Sequence, residues 1–595
     1  MTSRWLCALA LIAATGCKDE TTPTDDTAVP DDSGDPTVDQ DADGYTADVD
    51  CDDADATIHP GADEVCDGVD NDCDAFIDDE DDDVTGDLTQ FWPDDDGDGY
   101  GQDAGSVEAC SRPPGFVEAN GDCDDNAPTV YPSAREICDD GLDNDCQGGD
   151  ETCVSDPALA DAILDGPDAY ARAGISLAAP GDLDNDGLDD LAVGATQESS
   201  HILSPDGFVY VWLDLPPEGR SSLADADVIF QGIGGNQVGR AIVGADVNGD
   251  TVTDLVVSAH KDSTGGERAG ALYVLSGPLT PGSLTPANTS AMLLGASAGD
   301  RAGTSLASLG DIDGDGSEDL VVGAYFNDLG GVDAGAAYVY TGPISGEGSL
   351  AAAAAILVGE EPDDQVGTRV ASAGDLDGSG IAEVMVATRQ QSSAGSSAGA
   401  VYIVPGPPSG TVDLSDVDAK ITGSGEGDQL GSAIAGTGDV DGDGHGDVLI
   451  GAVTAGDGGE VYLIRGPLDA GGVARDMADA VIQAEAEADQ LGAVVDAADL
   501  DGDGVISVVV TANRSGDDDA GAAYLFRATA SGTISAGDAD LIYRGEGAGD
   551  FLGSWAVFTG DIGGGGAQGL LIGASSHDTG GEDAGAAYLF TGIGL

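Results

Sequence analysis

Lysine is almost absent from this chain: Lys18, Lys261 and Lys420 are the only three in 595 residues, and Lys plus Arg total 18 against 113 Asp plus Glu. A formal net charge of −95 excludes binding to bare nucleic acid phosphates, where a basic face supplies much of the affinity. Aromatic residues make up only 5%, so any core is built from small aliphatic side chains. Beyond the N-terminus no stretch approaches 18 unbroken apolar residues, so no other segment reads as a transmembrane helix. Cysteines stop at Cys153, and only five histidines occur. What the chain has in quantity is glycine, 94 residues, and aspartate at regular spacing.

The N-terminus opens with Arg4, an apolar stretch from Trp5 to Ala14 and small residues at Ala14, Thr15 and Gly16, which reads as a secretion signal over 1–16. The run ATGC ending at Cys17 resembles the lipobox of bacterial lipoproteins. That resemblance implies lipidation of Cys17 and a protein held by acyl chains alone, at the outer membrane or cell surface of a Gram-negative bacterium. Residues 17–38, rich in Thr, Asp and Pro, are predicted to be a disordered acidic tether.

Two segments, 39–83 and 84–154, share one grammar: DQDADGY then DCDDADATIHPGADEVCDGVDNDCDAFIDDE, and DDDGDGYG then GDCDDNAPTVYPSAREICDDGLDNDCQGGDE. Alternating acidic side chains with Gly at the bend offer hard oxygen ligands to one cation. Asp39, Asp41 and Asp43 fit this, as do Asp94, Asp96 and Asp98, with Asp70, Asp72, Asp74 and Asp78 as a further set; in the second copy Gln147 replaces a carboxylate beside Asp143 and Asp145. The segments resemble the MopE-type metal-binding repeat, whose name evokes copper. Copper wants imidazole or sulfur, and only His59 lies in the two copies, so calcium fits the donor set better. Setting aside Cys7 and Cys17, the first copy holds Cys51, Cys66 and Cys73 and the second Cys110, Cys123, Cys138, Cys146 and Cys153. Both numbers are odd, so full pairing in an oxidising compartment demands a bond between the copies. Cys153, the extra residue, is the expected bridge.

From 155 to 595 a different period rules. Seven segments align on GDLDNDGLDDLAVGA, ADVNGDTVTDLVVSA, GDIDGDGSEDLVVGA, GDLDGSGIAEVMVAT, GDVDGDGHGDVLIGA, ADLDGDGVISVVVTA and GDIGGGGAQGLLIGA, at spacings of 64, 65, 64, 64, 60 and 62 residues. Each period holds four short apolar runs, as in DVIFQG, RAIVGAD, DLVVSA and GALYVLSG, the pattern of a four-stranded meander. This predicts an all-β fold, a seven-bladed β-propeller after two small disulfide-rich, loop-rich modules. The chain ends directly after GAAYLFTG, whereas DAILDG at 161–166 matches the outer strands, so an N-terminal strand is expected to complete the last blade. The pattern resembles the FG-GAP repeat of the integrin α-subunit head, with the FG element reduced to an apolar residue and Gly: Val238-Gly239, Val366-Gly367, Leu430-Gly431 and Leu552-Gly553.

A DxDxDGxxD loop presents side-chain oxygens at positions 1, 3, 5 and 9 and a carbonyl at position 7. Three loops are complete: Asp182, Asp184, Asp186, Leu188, Asp190; Asp311, Asp313, Asp315, Ser317, Asp319; and Asp439, Asp441, Asp443, His445, Asp447. Asp246, Asn248, Asp250, Val252 and Asp254 keep the oxygens, with Thr251 in the Gly position. Asp375, Asp377, Ser379 and Glu383 include a neutral ligand; Asp499, Asp501 and Asp503 end at Ser507; Asp561 stands alone, so no ion is expected there. No cofactor other than calcium is predicted.

No catalytic constellation emerges. GASAG around Ser297 lies at a variable loop position, and His201, His260, His445 and His577 read as solvated loop residues away from any nucleophile. The long connections at 196–207, 260–270, 326–335, 389–399 and 573–585 should gather on one face as a site for a protein or glycan, with His260, Lys261 and Arg268 open to an acidic partner. The sequence thus reads as a non-enzymatic, calcium-binding surface protein used for binding or adhesion. The competing readings are metal scavenging by the N-terminal modules and a hydrolase or lyase on the propeller face.

Overall fold

The computed structural model describes residues 38–595 apart from 82–83, 87, 103, 129, 133–145, 147–153, 156, 158–159, 197–205, 469, 501, 503, 528–530, 565–567, 592 and 594–595. The signal, the tether, Cys17, Cys138, Asp143, Asp145, Gln147, Cys153, His201, Asp501 and Asp503 lie outside the described residues. The chain forms two compact units, one of 38–132 with Cys146, the other from 154 onward.

The first unit is mostly loop. Thr89–Pro93 pairs antiparallel with Val107–Ala109 and with Phe116–Val117, and Tyr100–Gln102 runs parallel to Ala119–Asp122. Disulfides join Cys51 to Cys73, Cys66 to Cys110 and Cys123 to Cys146. A bridge between the two copies exists, as the odd counts require, but its second-copy member is Cys110. All three cysteines of the first copy are thereby engaged, so the expected role of Cys153 is not available to it. The Thr85 N–H also donates to the Glu64 carbonyl at 2.7 Å, tying the two copies across their sequence boundary.

The second unit contains seven sheets of five strands. In the first, Ala173–Gly181, Asp190–Ala195, Phe208–Trp212 and Val228–Gln231 form an antiparallel meander. The next five repeat this order. The last sheet takes Leu552–Phe558, Leu570–Ala574 and Ala586–Phe590 from the C-terminus and its fourth strand, Ala162–Asp165, from the start of the unit. A fifth strand, not legible in the sequence, adds parallel to each fourth strand. It comes from the next repeat, as when Gly346–Ser349 joins Ala291–Leu294. Segments such as GEGS and GRSS lack the β-branched apolar residues that mark a strand, because this edge is half solvated. Val154–Ser155 fills that place on the sixth sheet.

Small residues set how closely the sheets approach. A Cβ built on Gly194, Gly323, Gly451 or Gly573, the Gly of the VGA element, would lie 2.1 to 2.4 Å from the carbonyl oxygen of Gly239, Gly367, Gly492 or Gly174 in the first strand of the adjoining sheet. Those partners have φ between +79° and +89°, a region Gly enters without the penalty a Cβ brings. Between these layers, one tyrosine per sheet is buried in the third strand: Tyr210, Tyr273, Tyr338, Tyr402, Tyr462, Tyr524 and Tyr588. Each supplies the bulk that Val, Leu and Ala cannot.

Candidate metal centres

The antiparallel register puts every DxDxDG loop at the same end of its sheet. Asp190, Asp254, Asp319 and Asp447, at position 9, begin the second strands opposite Gly181, Ala245, Gly310 and Gly438, which end the first. Position 1 organises each turn. The Oδ1 of Asp182 accepts from the N–H of Asn185 at 2.6 Å and its Oδ2 from Gly187 at 2.9 Å; Asp311 and Asp439 repeat this with Gly314 and Gly316, and with Gly442 and Gly444. These bonds wrap the backbone, and in the first loop they leave the carboxylates at positions 1, 3 and 5 close enough to act on the one at position 9. Neighbouring loops are stitched together: the N–H of Glu318 donates to the Asp246 carbonyl and that of Gly446 to Asp375, each at 2.8 Å.

The carboxylate at position 9 is the telling member. Asp190 is 1% exposed, its Oδ2 accepts from Leu183 at 2.6 Å, and its Oδ1 is buried with no hydrogen-bond donor. Burial first, then Asp184, Asp182 and Asp186, push its pKa up to about 8. Burial likewise raises Asp319 to about 6. A buried carboxylate among like charges is unfavourable unless a cation shares the site, so the residues present fit calcium. Held there, the ion would draw on Asp182, Asp184, Asp186 and Asp190 in the first loop and on their equivalents in the third and fifth.

The other loops depart from this in instructive ways. In the second, the Asn248 amide donates to both oxygens of Asp254, at 3.0 and 2.9 Å, so a neutral side chain solvates the buried acid without removing its charge. In the fourth, Glu383 reaches back to accept from Leu376 at 2.7 Å, and Asp375 keeps a buried Oδ1 without a donor. In the fifth, the Arg465 guanidinium lies 3.5 Å from Asp441 and already offsets part of the charge. Asp499 caps Gly502 and Gly504 in the sixth. Asp561 packs against the first loop, donating its N–H to Asp189 at 2.8 Å.

In the N-terminal unit, Asp39, Asp41 and Asp43 bring carboxylate oxygens within 4.8 Å of one another, as do Asp70, Asp72 and Asp74. Sequence reasoning missed the residues that complete these sets. Asp50, the first residue of DCDD, is 8% exposed with an orphaned Oδ2, beside equally orphaned Oδ2 atoms of Asp41 and Asp43. Asp122 is its counterpart at 7%, with Asp96 and Asp98. Burial and then Asp98, Asp96 and Asp125 raise the Asp122 pKa. Asp81 and Glu64 approach Asp72, whereas the Oδ1 of Asp78 accepts from the N–H groups of Asp67 and Gly68, each at 3.0 Å. Asp78 therefore shapes the neighbouring turn with this oxygen. The signal for Asp50 and Asp122 was their repetition as the first residue of DCDD, before Cys51 and Cys123.

Two histidines also differ from expectation. His260 and His577 are each 5% exposed. Burial first, then Arg240, Lys261 and Arg301, hold His260 down at about 3, so it is neutral and cannot serve as a surface cation.

The FG-GAP repeat family matches residues 173–212, 238–275 and 302–340, and the MopE-type putative metal-binding motif matches 50–79 and 122–151. The chain thus carries three segments that match the FG-GAP repeat, preceded by two that match the MopE-type motif. Over 120 residues it is 38% identical to human phosphatidylinositol-glycan-specific phospholipase D, covering 20% of this chain and 14% of that protein. Over 99 residues it is 40% identical to integrin alpha-PS5 of Drosophila melanogaster, covering 16% and 10%. The matches span only about a seventh and a tenth of these relatives. A solved structure of BBS1N in complex with ARL6DN, soaked with lead, aligns with 72% of this chain and 97% of its own at 12% identity and a TM-score of 0.36.

Proposed function

We propose that the seven sheets close into a calcium-stabilised β-propeller that serves a secreted, lipid-anchored surface protein as a non-enzymatic platform for binding or adhesion to a protein or glycan. The observation that carries the calcium reading is the buried, donorless oxygen of Asp190 in a loop whose Asp184, Asp182 and Asp186 add to the cost of its charge. Closure is supported by Ala162–Asp165 as fourth strand of the last sheet and by the Gly573 to Gly174 contact, which repeats the spacing found between sheets elsewhere. Integrin and FG-GAP likeness supports a binding role. The N-terminal clusters around Asp50 and Asp122 support a metal-binding role for the MopE-type unit, with calcium again the better match to all-oxygen donors.

Thermal melting of the full chain tests this. Sites of this kind bind calcium at roughly 0.1 to 1 mM, and an ion at a hundred times its Kd stabilises by about 2.7 kcal/mol per site. The expected result is a transition raised by calcium at about 10 mM and lowered by EDTA. An unchanged transition rejects the reading.

A further inference from the structure

The ends of the sheets opposite the aspartate loops hold a different chemistry. First strands from all seven sheets line a central cavity of about 420 Å³. It adjoins a second cavity of about 370 Å³, lined by Arg172, Arg240, Arg369 and Arg389 with Trp555 and Ser432 among their neighbours. Arg240 and Arg369 border both. Four of the fifteen arginines of a chain with net charge −95 therefore meet at one mouth, and no carboxylate lines it.

Several of the other cations are matched to acids. Arg220 pairs with Asp165 and Glu546, Lys420 with Glu360, Arg475 with Glu460 and Arg544 with Glu485. Among the described residues none of the four at the mouth has an ion pair. The Arg369 guanidinium instead donates to the Thr368 carbonyl at 3.1 Å and lies 5.9 Å from the centre of the Trp555 ring. Burial, Arg240 and Arg389 hold its pKa down at about 9, so it stays charged at neutral pH under mutual repulsion. Clustered, unpaired guanidinium groups in a partly buried site lack the anion that would offset their desolvation.

We propose that this mouth binds a carboxylated sugar. Guanidinium forks match a carboxylate bidentately. The Trp555 ring offers a flat apolar surface, Ser432, Asn513 and Gln490 suit hydroxyl groups, and the volume suits a small ligand. The proposal rests on reading the repeat unit as a binding platform and names the ligand class of one of its faces. The arginines lie at the starts of first strands and just after a second strand, beside the long connections. Gly270, Gly335 and Gly399, which end three of those connections, bridge to the first-strand region of the next sheet.

The test is a titration of the full chain with glucuronate, read by calorimetry, with glucose and N-acetylaspartate as comparisons and a melting curve with calcium and with EDTA on the same preparation. Saturable glucuronate binding is expected. Arg369→Gln and Arg240→Gln should weaken it by about tenfold or more, while Lys420→Gln leaves it unchanged. If circular dichroism shows either arginine variant unfolded, Arg389→Gln is read in its place. Absent binding, equal binding of glucose or N-acetylaspartate, or binding untouched in the arginine variants overturns the proposal. Failure here with calcium-dependent melting intact leaves the platform reading standing, whereas calcium-independent melting removes that reading itself.

Discussion

Asp122 and Asp78 show how little residue type says about role. Both are aspartates in an acidic segment, but Asp122 is 7% exposed with an oxygen that has no donor, while Asp78 holds two backbone N–H groups. Asp122→Asn should therefore weaken calcium binding by the second copy on the order of tenfold, with Asp78→Asn acting on turn stability instead, as calorimetric calcium titration of the two variants will report. The repetition of DCDD was readable; that its first Asp returns to a loop some 25 residues earlier in the second copy was not, because that closure depends on the turn between them. His577 carries the pH dependence. Burial opposes its charge, but the Asp550 carboxylate 3.2 Å from Nδ1, with Glu546 beyond, raises its pKa on balance. A histidine whose folded pKa exceeds its unfolded value of about 6.5 stabilises fully below that pH and loses the contribution as pH rises through the folded value. Urea denaturation of His577→Gln should accordingly differ from the parent most near about pH 6 and least near about pH 9.

At the scale of elements, the FG and VGA motifs turn out to be two halves of one contact. Gly367 has φ +87°, and a Cβ there would lie 2.4 Å from the Ala336 carbonyl oxygen. Gly310 has φ +68° with nothing within 4 Å of a built Cβ. Gly367→Ala should then lose roughly 2 to 5 kcal/mol, strain plus overpacking, and Gly310→Ala about 1 kcal/mol from backbone strain alone, measured as shifts in chemical denaturation. Strand order, the position of the aspartate loops and the seven periods were legible because alternation and turn chemistry are local. The fifth strand was not, because Gly- and Ser-rich segments acquire strand geometry only when a neighbouring sheet presents a free edge.

For the whole molecule, the N-terminal strands of the repeat unit finish sheets begun at its C-terminus: Val154–Ser155 on the sixth and Ala162–Asp165 on the last. Removing 154–165 would bare the edge of Ala586–Phe590, and the expected outcome is loss of a single cooperative melting transition together with concentration-dependent association, seen by calorimetry and light scattering. The sequence by itself determined the repeat number, the phase of the strands and the place of the aspartate loops, since each is written in spacing within a short window. Only the tertiary structure decided which carboxylates close the N-terminal sites, that Cys66 takes Cys110 as its partner, and that Arg172, Arg240, Arg369 and Arg389 meet. The arginines are brought together by sheets packed side by side and the N-terminal groups by disulfide-bonded loops, and nothing in their separate surroundings along the chain records that meeting.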